Sequence, residues 1–167
     1  TRTFSASVKR LKTIPVLFSS WFEDKQWSVR PYQKQMVKAF AEQRSTLLIA
    51  PTGAGKTLSG FLPTLVDLAK HPQTGLHTIY ISPLKALTQD IHRNLQQPID
   101  DMSLPITVGA RTGDTTAYQR QQQRKKPPNI LLITPESLML MLSYADAPRI
   151  FGQVKAIIVD EAHSFAF

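Results

Sequence analysis

The feature that most constrains the fold of this chain is the stretch Ala50–Thr57, in which small residues precede a lysine and a threonine. It reads APTGAGKT, follows the apolar run Leu47–Ile49 and precedes a helix-like segment that begins at Leu58. Backbone N–H groups of such a loop turn inward around a phosphate, and the N-terminus of the following helix adds partial positive charge. We therefore expect a strand, a phosphate-binding loop and a helix, in that order.

This loop supplies the candidate nucleotide ligands of the chain. Lys56 is also a candidate catalytic residue, because a lysine at this position reaches the terminal phosphates, and the hydroxyl of Thr57 is a candidate Mg²⁺ ligand. Ala50 stands where the general pattern has glycine. The predicted nucleotide-binding residues of the loop are Thr52, Gly53, Ala54, Gly55, Lys56 and Thr57.

Composition narrows the function classes further. The chain has 167 residues, 42% of them hydrophobic, which suits about one domain with a real core. Because it has no cysteine, disulfides, cysteine-zinc sites and thiol catalysis are excluded. A formal net charge of +8 favours a polyanionic partner such as nucleic acid over a merely basic surface. No apolar run is long enough to suggest a membrane span.

Short apolar runs alternate with helix-length amphipathic segments from Arg30 onward, a pattern typical of βαβ units. This predicts an α/β fold with a parallel sheet flanked by helices. The expected strands are Thr46–Ala50, Thr78–Ser82, Ile106–Ala110, Ile130–Thr134 and Ala156–Asp160. The expected helices are Tyr32–Glu42, Lys56–Lys70, Leu84–Leu95, Thr116–Arg124 and Glu136–Leu142.

Two adjacent acids, Asp160 and Glu161, end the last predicted strand. Carboxyl ends of parallel strands converge on a phosphate loop, so Asp160 is a candidate Mg²⁺ ligand. Glu161 is then the candidate base that polarises the attacking water, and both acids are candidate catalytic residues. An acidic pair at this place can also serve only to cap a helix, but its combination with the loop favours catalysis.

The letters Asp160-Glu161-Ala162-His163 spell DEAH, and they resemble the box that names the DExH group of superfamily 2 helicases. Three further stretches resemble motifs that line the nucleic-acid path in this superfamily: Ser82–Leu87, Arg111–Thr115 and Thr134–Leu138. The resemblance implies ATP and Mg²⁺ as cofactors and His163 as a catalytic residue that couples the nucleotide site to a second motor domain. The nucleic-acid candidates are Ser82, Pro83, Lys85, Arg111, Thr112, Thr134 and Pro135.

Upstream of the loop, Trp27–Gln33 resembles the adenine-reading Q motif of such helicases, which makes Gln33 a candidate nucleotide ligand. Its amide carries both a donor and an acceptor. Phe22 and Trp27 are expected mainly in the core, with stacking near the base as the alternative. From about Phe18 onward the chain is similar to the large-helicase-related (Lhr-type) family, and it is closest to the bacterial DNA-ligase-associated branch. Ala162 departs from the larger residue usual in that family.

The resemblance implies a RecA-like first motor domain over residues 27–167, with residues 1–26 as a lead-in and the C-terminal part of the domain missing. It implies an ATP-dependent, DNA-repair helicase that tracks 3′ to 5′ on single-stranded DNA or a DNA:RNA hybrid. It also implies a functional link to a ligase or nuclease. We expect a monomer, and the absence of cysteine favours a cytoplasmic, nucleoid-associated location. Without a second domain and its arginine fingers, the fragment is expected to hydrolyse ATP poorly. A phosphate-loop switch module and a double-stranded DNA translocase are the alternatives.

Overall fold

The computed structural model describes residues 14–49, 55–83 and 85–162, with only the backbone described for residues 85–90. The helices are α1 (Val16–Asp24), α2 (Pro31–Ala41), α3 (Lys56–Lys70), α4 (Lys85–Asp101), α5 (Ala117–Lys125), α6 (Pro135–Leu142) and α7 (Ala147–Phe151). The strands are β1 (Thr78–Ile81), β2 (Val108–Arg111), β3 (Ile130–Ile133) and β4 (Ala156–Val159). None of the described helices is long and apolar enough to cross a membrane.

The four described strands form one parallel sheet in the order β2-β3-β1-β4. Their registers are level at the carboxyl edge, because Ile81 is paired with both Ile133 and Val159, and Ile133 is paired with Arg111. Residues that follow these four positions therefore lie side by side along one edge of the sheet. That edge is where ligands bind in open parallel sheets.

Hydrophobic contacts cover the sheet on both faces. Tyr80 and Leu132 point to the face covered by α1, α3 and α4, whereas Ile79 and Leu131 point to the face covered by α6 and α7. All four residues of β3, Ile130–Ile133, are at most 1% exposed. Burying an aliphatic side chain of this size contributes about 1.5–3 kcal/mol, so β3 is the centre of the core. The predicted parallel sheet with helices on both faces is confirmed.

The outer edge of β2 is protected from further strand pairing. Gln123 of α5 donates a hydrogen bond from Nε2 to the carbonyl of Ala110 at 2.9 Å. The ring of Pro128 lies so close to Gly109 that a Cβ there would stand 2.9 Å from Cγ of the proline. Unpaired edge strands invite aggregation, and the contact from Gln123 of α5 covers part of this edge.

One predicted strand is wrong. Residues Thr46–Ile49 form no strand, and Leu47 and Ile49 are 77% and 86% exposed. Ala50 lies outside the described residues. A strand exists only with a hydrogen-bonded neighbour, and no strand of the described sheet lies beyond β4.

Other predicted boundaries shift by a few residues. The strand expected at Ile106–Ala110 is observed at Val108–Arg111, and the helix expected to end at Leu95 continues to Asp101. Two helices, α1 and α7, were not predicted. Helix α1 lies ahead of residue 27, yet its Phe18 is fully buried in the same core as α3.

Candidate nucleotide and nucleic-acid site

The carboxyl edge of the sheet brings the two groups of predicted site residues together. One polar residue directly follows the last paired residue of each strand. In the spatial order of the strands, these are Thr112 after β2, Thr134 after β3, Ser82 after β1 and Asp160 after β4. Neighbouring strands lie about 4.8 Å apart, so this row spans roughly 15 Å. The acidic end of the row lies at β4 and the hydroxyl-bearing end at β2 and β3.

The phosphate side of the site is the N-terminus of α3. Gly55 precedes the helix with φ of 73°, a left-handed conformation that glycine adopts without a Cβ clash. Lys56 and Thr57 are the first two helical residues, and both are partly exposed. The first N–H groups of a helix have no intrahelical partner, so this end attracts an anion.

On the metal side, a buried tyrosine holds the carboxylate of Asp160. Tyr80 is 2% exposed and donates a hydrogen bond from its hydroxyl to Oδ2 of Asp160 at 2.5 Å. Its ring stacks on Phe61 of α3, with the ring centroids 4.8 Å apart. Burial and the adjacent carboxylate of Asp160 raise the pKa of Tyr80 far above its usual range, so the hydroxyl keeps its proton. This role of Tyr80 was not predicted from the sequence, where its only signal is a tyrosine among aliphatic strand residues.

The second acid, Glu161, has an uncommon backbone conformation. Its φ is 50°, in the left-handed region that costs a non-glycine residue about 1 kcal/mol or more. Its N–H donates to Oδ1 of Asp160 at 3.0 Å. Unfavourable backbone conformations of this kind concentrate at functional sites.

These donors suit Mg²⁺. Asp160 and Thr57 line the same cavity of about 420 Å³, together with Lys56 and Glu161. Carboxylate and hydroxyl oxygens are hard ligands of the kind Mg²⁺ prefers. Each oxygen of Asp160 accepts one hydrogen bond, from Tyr80 or Glu161, which leaves lone pairs for a metal or for metal-bound water.

The polar residues at the other strand ends are turned inward. Ser82, Thr112 and Thr134 are at most 8% exposed. The hydroxyl of Thr134 donates to Oγ of Ser137 at 3.1 Å, whereas Oγ of Ser82 is buried without a partner among the described residues. Their direct contact with nucleic acid stays a prediction, and so does that of Pro83 and Pro135, which are partly exposed.

Arg111 is the largest side chain buried at this edge, at 1% exposure. Its Nη2 donates to the hydroxyl of Tyr144 at 2.9 Å, and Nη1 is buried without a partner among the described residues. Burial lowers the pKa of Arg111, but a guanidinium in a protein stays charged. Tyr144 also packs against Arg124, whose guanidinium lies 4.4 Å from the ring centroid. In this arrangement Arg111 contacts Tyr144, and its direct contact with nucleic acid stays a prediction.

Gln33 lies beside the start of α3. It is 3% exposed, and its Oε1 accepts a hydrogen bond from the N–H of Arg30 at 2.9 Å. Its Nε2 lies 3.8 Å from the position that a Cβ on Gly55 would occupy. The predicted pairing with adenine therefore stays a prediction, with the Nε2 group on the nucleotide side.

Five of the predicted site residues cannot be placed. Thr52, Gly53, Ala54 and His163 lie outside the described residues, and for Lys85 only the backbone, the first residue of α4, is described. The expected core position of Phe22 is confirmed, at 3% exposure. Trp27 is not in the core, because 53% of it is exposed.

Comparison with known proteins decides the family. The model described as DEAD/DEAH box helicase matches residues 30–166, which span both the start of α3 and the acidic pair after β4. The chain belongs to the DEAD/DEAH box helicase family. In this DEAD/DEAH box domain the candidate phosphate side and the row of strand ends lie at the same edge of one parallel sheet.

Lhr helicases are among its relatives. The chain is 42% identical over 163 residues to the "Lhr helicase/ probable uracil glycosylase" of Mycolicibacterium smegmatis, covering 90% of this chain and 11% of that protein. It is 40% identical over 157 residues to the "ATP-dependent helicase Lhr-Core" of Sulfolobus acidocaldarius, covering 87% and 18%. The predicted Lhr-type resemblance is confirmed.

Solved structures agree with the fold. The structure of Mycobacterium smegmatis helicase Lhr bound to ssDNA and AMP-PNP matches with a TM-score of 0.81, covering 93% of this chain and 21% of that one. The DUF1998 helicase MrfA bound to DNA matches with a TM-score of 0.82 at 26% identity, covering 92% and 22%. The RecA-like fold is confirmed, and the DEAD/DEAH box domain spans about a tenth to a quarter of these relatives.

Proposed function

We propose that this domain is the first, ATP-binding half of a DNA helicase motor that hydrolyses MgATP when single-stranded nucleic acid lies across the carboxyl edge of its sheet. The observation that carries the proposal is the level register of the strands, which puts Asp160 in one row with Ser82, Thr134 and Thr112. A phosphate site alone would serve a switch module equally well. A switch has no need of three further strand ends beside that site.

In this mechanism the N-terminus of α3 and Lys56 hold the β- and γ-phosphates, while Thr57 and Asp160 hold the Mg²⁺. A Mg²⁺ held there would neutralise charge that develops on the phosphates. Glu161 would accept a proton from the attacking water while the water oxygen bonds to the γ-phosphorus and the bond from that phosphorus to the β–γ bridging oxygen breaks, with ADP as the leaving group. Tyr80 keeps the carboxylate of Asp160 in place throughout, because its hydroxyl cannot ionise at working pH.

The relatives support the nucleic-acid half of the proposal. The Lhr structure contains ssDNA and AMP-PNP, which are the two ligand classes proposed here. We extend the proposal to ATP as the nucleotide, single-stranded DNA or a DNA:RNA hybrid as the track, and 3′-to-5′ movement. The charge of +8 suits sequence-independent contacts to phosphates. A monomeric, cytoplasmic repair helicase that works with a ligase or nuclease is the biological setting we propose.

The test uses the full-length protein, because turnover in this proposal needs a second RecA-like domain. ATPase is measured with and without single-stranded DNA for the wild type, Lys56→Ala and Glu161→Gln. We expect DNA to stimulate the wild type, and each substitution to lower kcat by about a hundredfold or more. The matched controls are Lys70→Ala, at the exposed far end of α3, and Glu23→Gln, exposed on α1. Both should keep wild-type rates.

Two outcomes separate the motor from its alternatives. If DNA does not change the rate of ATP turnover, the phosphate-loop switch module would be the supported alternative. Stimulation by duplex alone, without displacement of either strand, would identify a double-stranded translocase. Strand displacement on duplexes with a 3′ tail but not with a 5′ tail is the expected result.

The 167-residue chain alone should hydrolyse ATP at least about a thousandfold more slowly than the full-length protein, as for a missing arginine finger.

A further inference from the structure

A second cavity, also of about 420 Å³, opens at the amino edge of the sheet, opposite the candidate site. Thr107 and Asn129, which directly precede β2 and β3, line it. Three of its lining residues are cations, Lys125 and Lys126 at the end of α5 and Arg149 of α7, and all the others are neutral. The wall of this cavity therefore carries positive charge without an acidic residue.

The buried polar side chain of this cavity, Asn129, has its hydrogen bonds filled within the fold. Its Nδ2 donates to the carbonyls of Gln73 and Gly75 at 2.8 and 3.1 Å. Its Oδ1 accepts from the N–H and the hydroxyl of Thr107 at 2.9 and 3.0 Å. A pocket that selects a small molecule aims a few polar groups at it. Because this amide is already engaged, the cations at the rim are the groups that can bind a partner, and they do so through charge.

Helix α5 gathers positive charge. Residues 115–135 contain no acid, but they include Arg120, Arg124, Lys125 and Lys126. No residue of α5 is buried, and like charges four residues apart destabilise a helix, as with Arg120 and Arg124. The helix dipole favours cations in the last turn, which accounts for Arg124 and Lys125. It does not account for the cation that α7 adds to the same cavity.

One acid lies beside these cations. Asp146 accepts hydrogen bonds from Arg124 at 2.8 Å and from Arg149 at 3.0 Å, and Arg149 also donates to the carbonyl of Arg124 at 2.8 Å. The hydrogen bond from Arg124 lowers the pKa of Asp146, so the acid is ionised at neutral pH. Lys125 and Lys126 are exposed and make no ion pair with a described residue. The four cations, which we call the α5–α7 patch, keep a net charge of +3 beside this one acid.

The α5–α7 patch lies at the far end of α5 from the row of strand ends. Helix α5 begins after the loop that follows Thr112, and its nine residues span about 14 Å towards the start of β3. The patch is therefore a surface separate from the proposed single-strand track. The substrate of a helicase also contains duplex, which carries one charge per about 1.7 Å of axis, twice the density of one strand. Cations without base-reading groups suit that denser charge.

We propose that the α5–α7 patch binds phosphates of the duplex that adjoins the single strand at the carboxyl edge. The inference rests on the proposed function, since the protein meets a duplex only if it works on nucleic acid. The contact is independent of sequence, because Lys125 and Lys126 gain affinity by releasing counterions from the phosphates. It adds a second nucleic-acid surface at the amino edge of the sheet.

The test measures how salt weakens DNA binding by the full-length protein. Fluorescence anisotropy follows a labelled duplex with a 3′ single-stranded tail, and the same tail alone, between about 50 and 200 mM salt. For the tailed duplex, Lys125→Gln with Lys126→Gln should reduce the slope of log K against log salt by about 1.8, because each duplex phosphate contact contributes about 0.9. Over this salt range the wild type should lose about tenfold more affinity than the variant. For the tail alone, the two slopes should be equal.

Two control variants isolate the charge and its position. Lys125→Arg with Lys126→Arg keeps both charges and should keep the wild-type slope. Lys38→Gln with Lys70→Gln removes the same charge from exposed positions on α2 and α3, and it should also keep the wild-type slope. Thermal melts show whether each variant is folded.

The outcomes separate this inference from the proposed function. An unchanged slope for the tailed duplex in the glutamine variant would leave the patch to another polyanion, such as an acidic protein segment, and would overturn the inference. An equal fall in slope for the tail alone would place the single strand on the patch and would overturn it as well. Failure of any DNA to stimulate the wild-type ATPase would instead remove the proposed function.

Discussion

Replacing Asp67 by asparagine should make the domain less stable at neutral pH and less sensitive to acid. Asp67 lies on α3 and accepts a hydrogen bond from Nε2 of the fully buried His77 at 2.9 Å. His71 and Lys155 also contact its carboxylate, at 3.0 and 3.2 Å. Asparagine has nearly the same shape but carries no charge. The substitution therefore tests the charge while it preserves most of the packing.

The magnitude follows from the pKa of Asp67. Burial alone would raise that pKa, but the donors from His77, His71 and Lys155 outweigh it and lower the pKa from 3.8 to about 2. Asp67 is only 18% exposed, so this shift corresponds to about 2 kcal/mol of unfolding free energy at pH 7. Because His71 and Lys155 are themselves largely exposed, salt screens their share of it.

The sign of the pH dependence is fixed by the lowered value. A carboxyl whose pKa is lower in the folded state stabilises the fold above its unfolded pKa of 3.8, and this contribution is lost as the pH falls towards 2. The wild type and Asp67→Asn should therefore differ by about 2 kcal/mol at pH 7 but only by about 1 kcal/mol at pH 3.

Urea unfolding of the chain at pH 7 and pH 3, followed by circular dichroism, measures both differences. The control is Glu42→Gln, which removes an exposed carboxylate paired with Arg44 at 2.6 Å and should change stability by less than about 0.5 kcal/mol. A difference at pH 7 below that of the control, or one that stays constant with pH, would refute the reasoning.

Two further substitutions test other contacts. Tyr80→Phe removes the hydroxyl that donates to Asp160, so the Mg²⁺ concentration for half-maximal ATPase of the full-length protein should rise about tenfold. The control Tyr118→Phe removes an exposed hydroxyl and should leave this Mg²⁺ concentration unchanged. An equal Mg²⁺ requirement for both variants would argue against this role of Tyr80. Gly109→Ala forces a Cβ against a proline ring and should lower the unfolding free energy by about 1–3 kcal/mol in urea titrations. Gly113→Ala, where nothing lies within 4 Å of the added Cβ, is its control, and an equal effect of both would mean that the proline contact is not responsible.

The sequence predicted those elements whose signal is local. The run Ile130–Ile133 reads as a strand buried on both faces, and the structure places it in the middle of the sheet. The run Leu47–Ile49 carries the same signal, yet Leu47 and Ile49 are exposed and the run is unpaired among the described residues. The two runs differ because β3 has neighbouring strands to pair with and Leu47–Ile49 has none in the described sheet. Three apolar residues by themselves do not predict whether a neighbouring strand exists.

The candidate site divides in the same way. Lys56, Thr57, Asp160 and Glu161 were predictable, because phosphate and metal chemistry demands those residue types beside a strand and a helix. The contact of Tyr80 with Asp160 was not, since it joins residues 80 positions apart through a register that only the folded sheet defines. Short helices such as α7 were also not predicted, because tertiary packing stabilises them more than their own helix propensity does.

Strand β1 contacts both the nucleotide side and the nucleic-acid side of the candidate site. The hydroxyl of Tyr80 holds the carboxylate of Asp160, and two residues further along the same chain Ser82 is fully buried in the row of strand ends. Two residues of a parallel strand span about 6.6 Å. Because β1 is paired on both sides, with β3 and β4, it cannot shift at Tyr80 without also shifting at Ser82. A shift of Asp160 that reached β1 through Tyr80 would therefore also reach Ser82, at the edge proposed to carry the nucleic-acid strand.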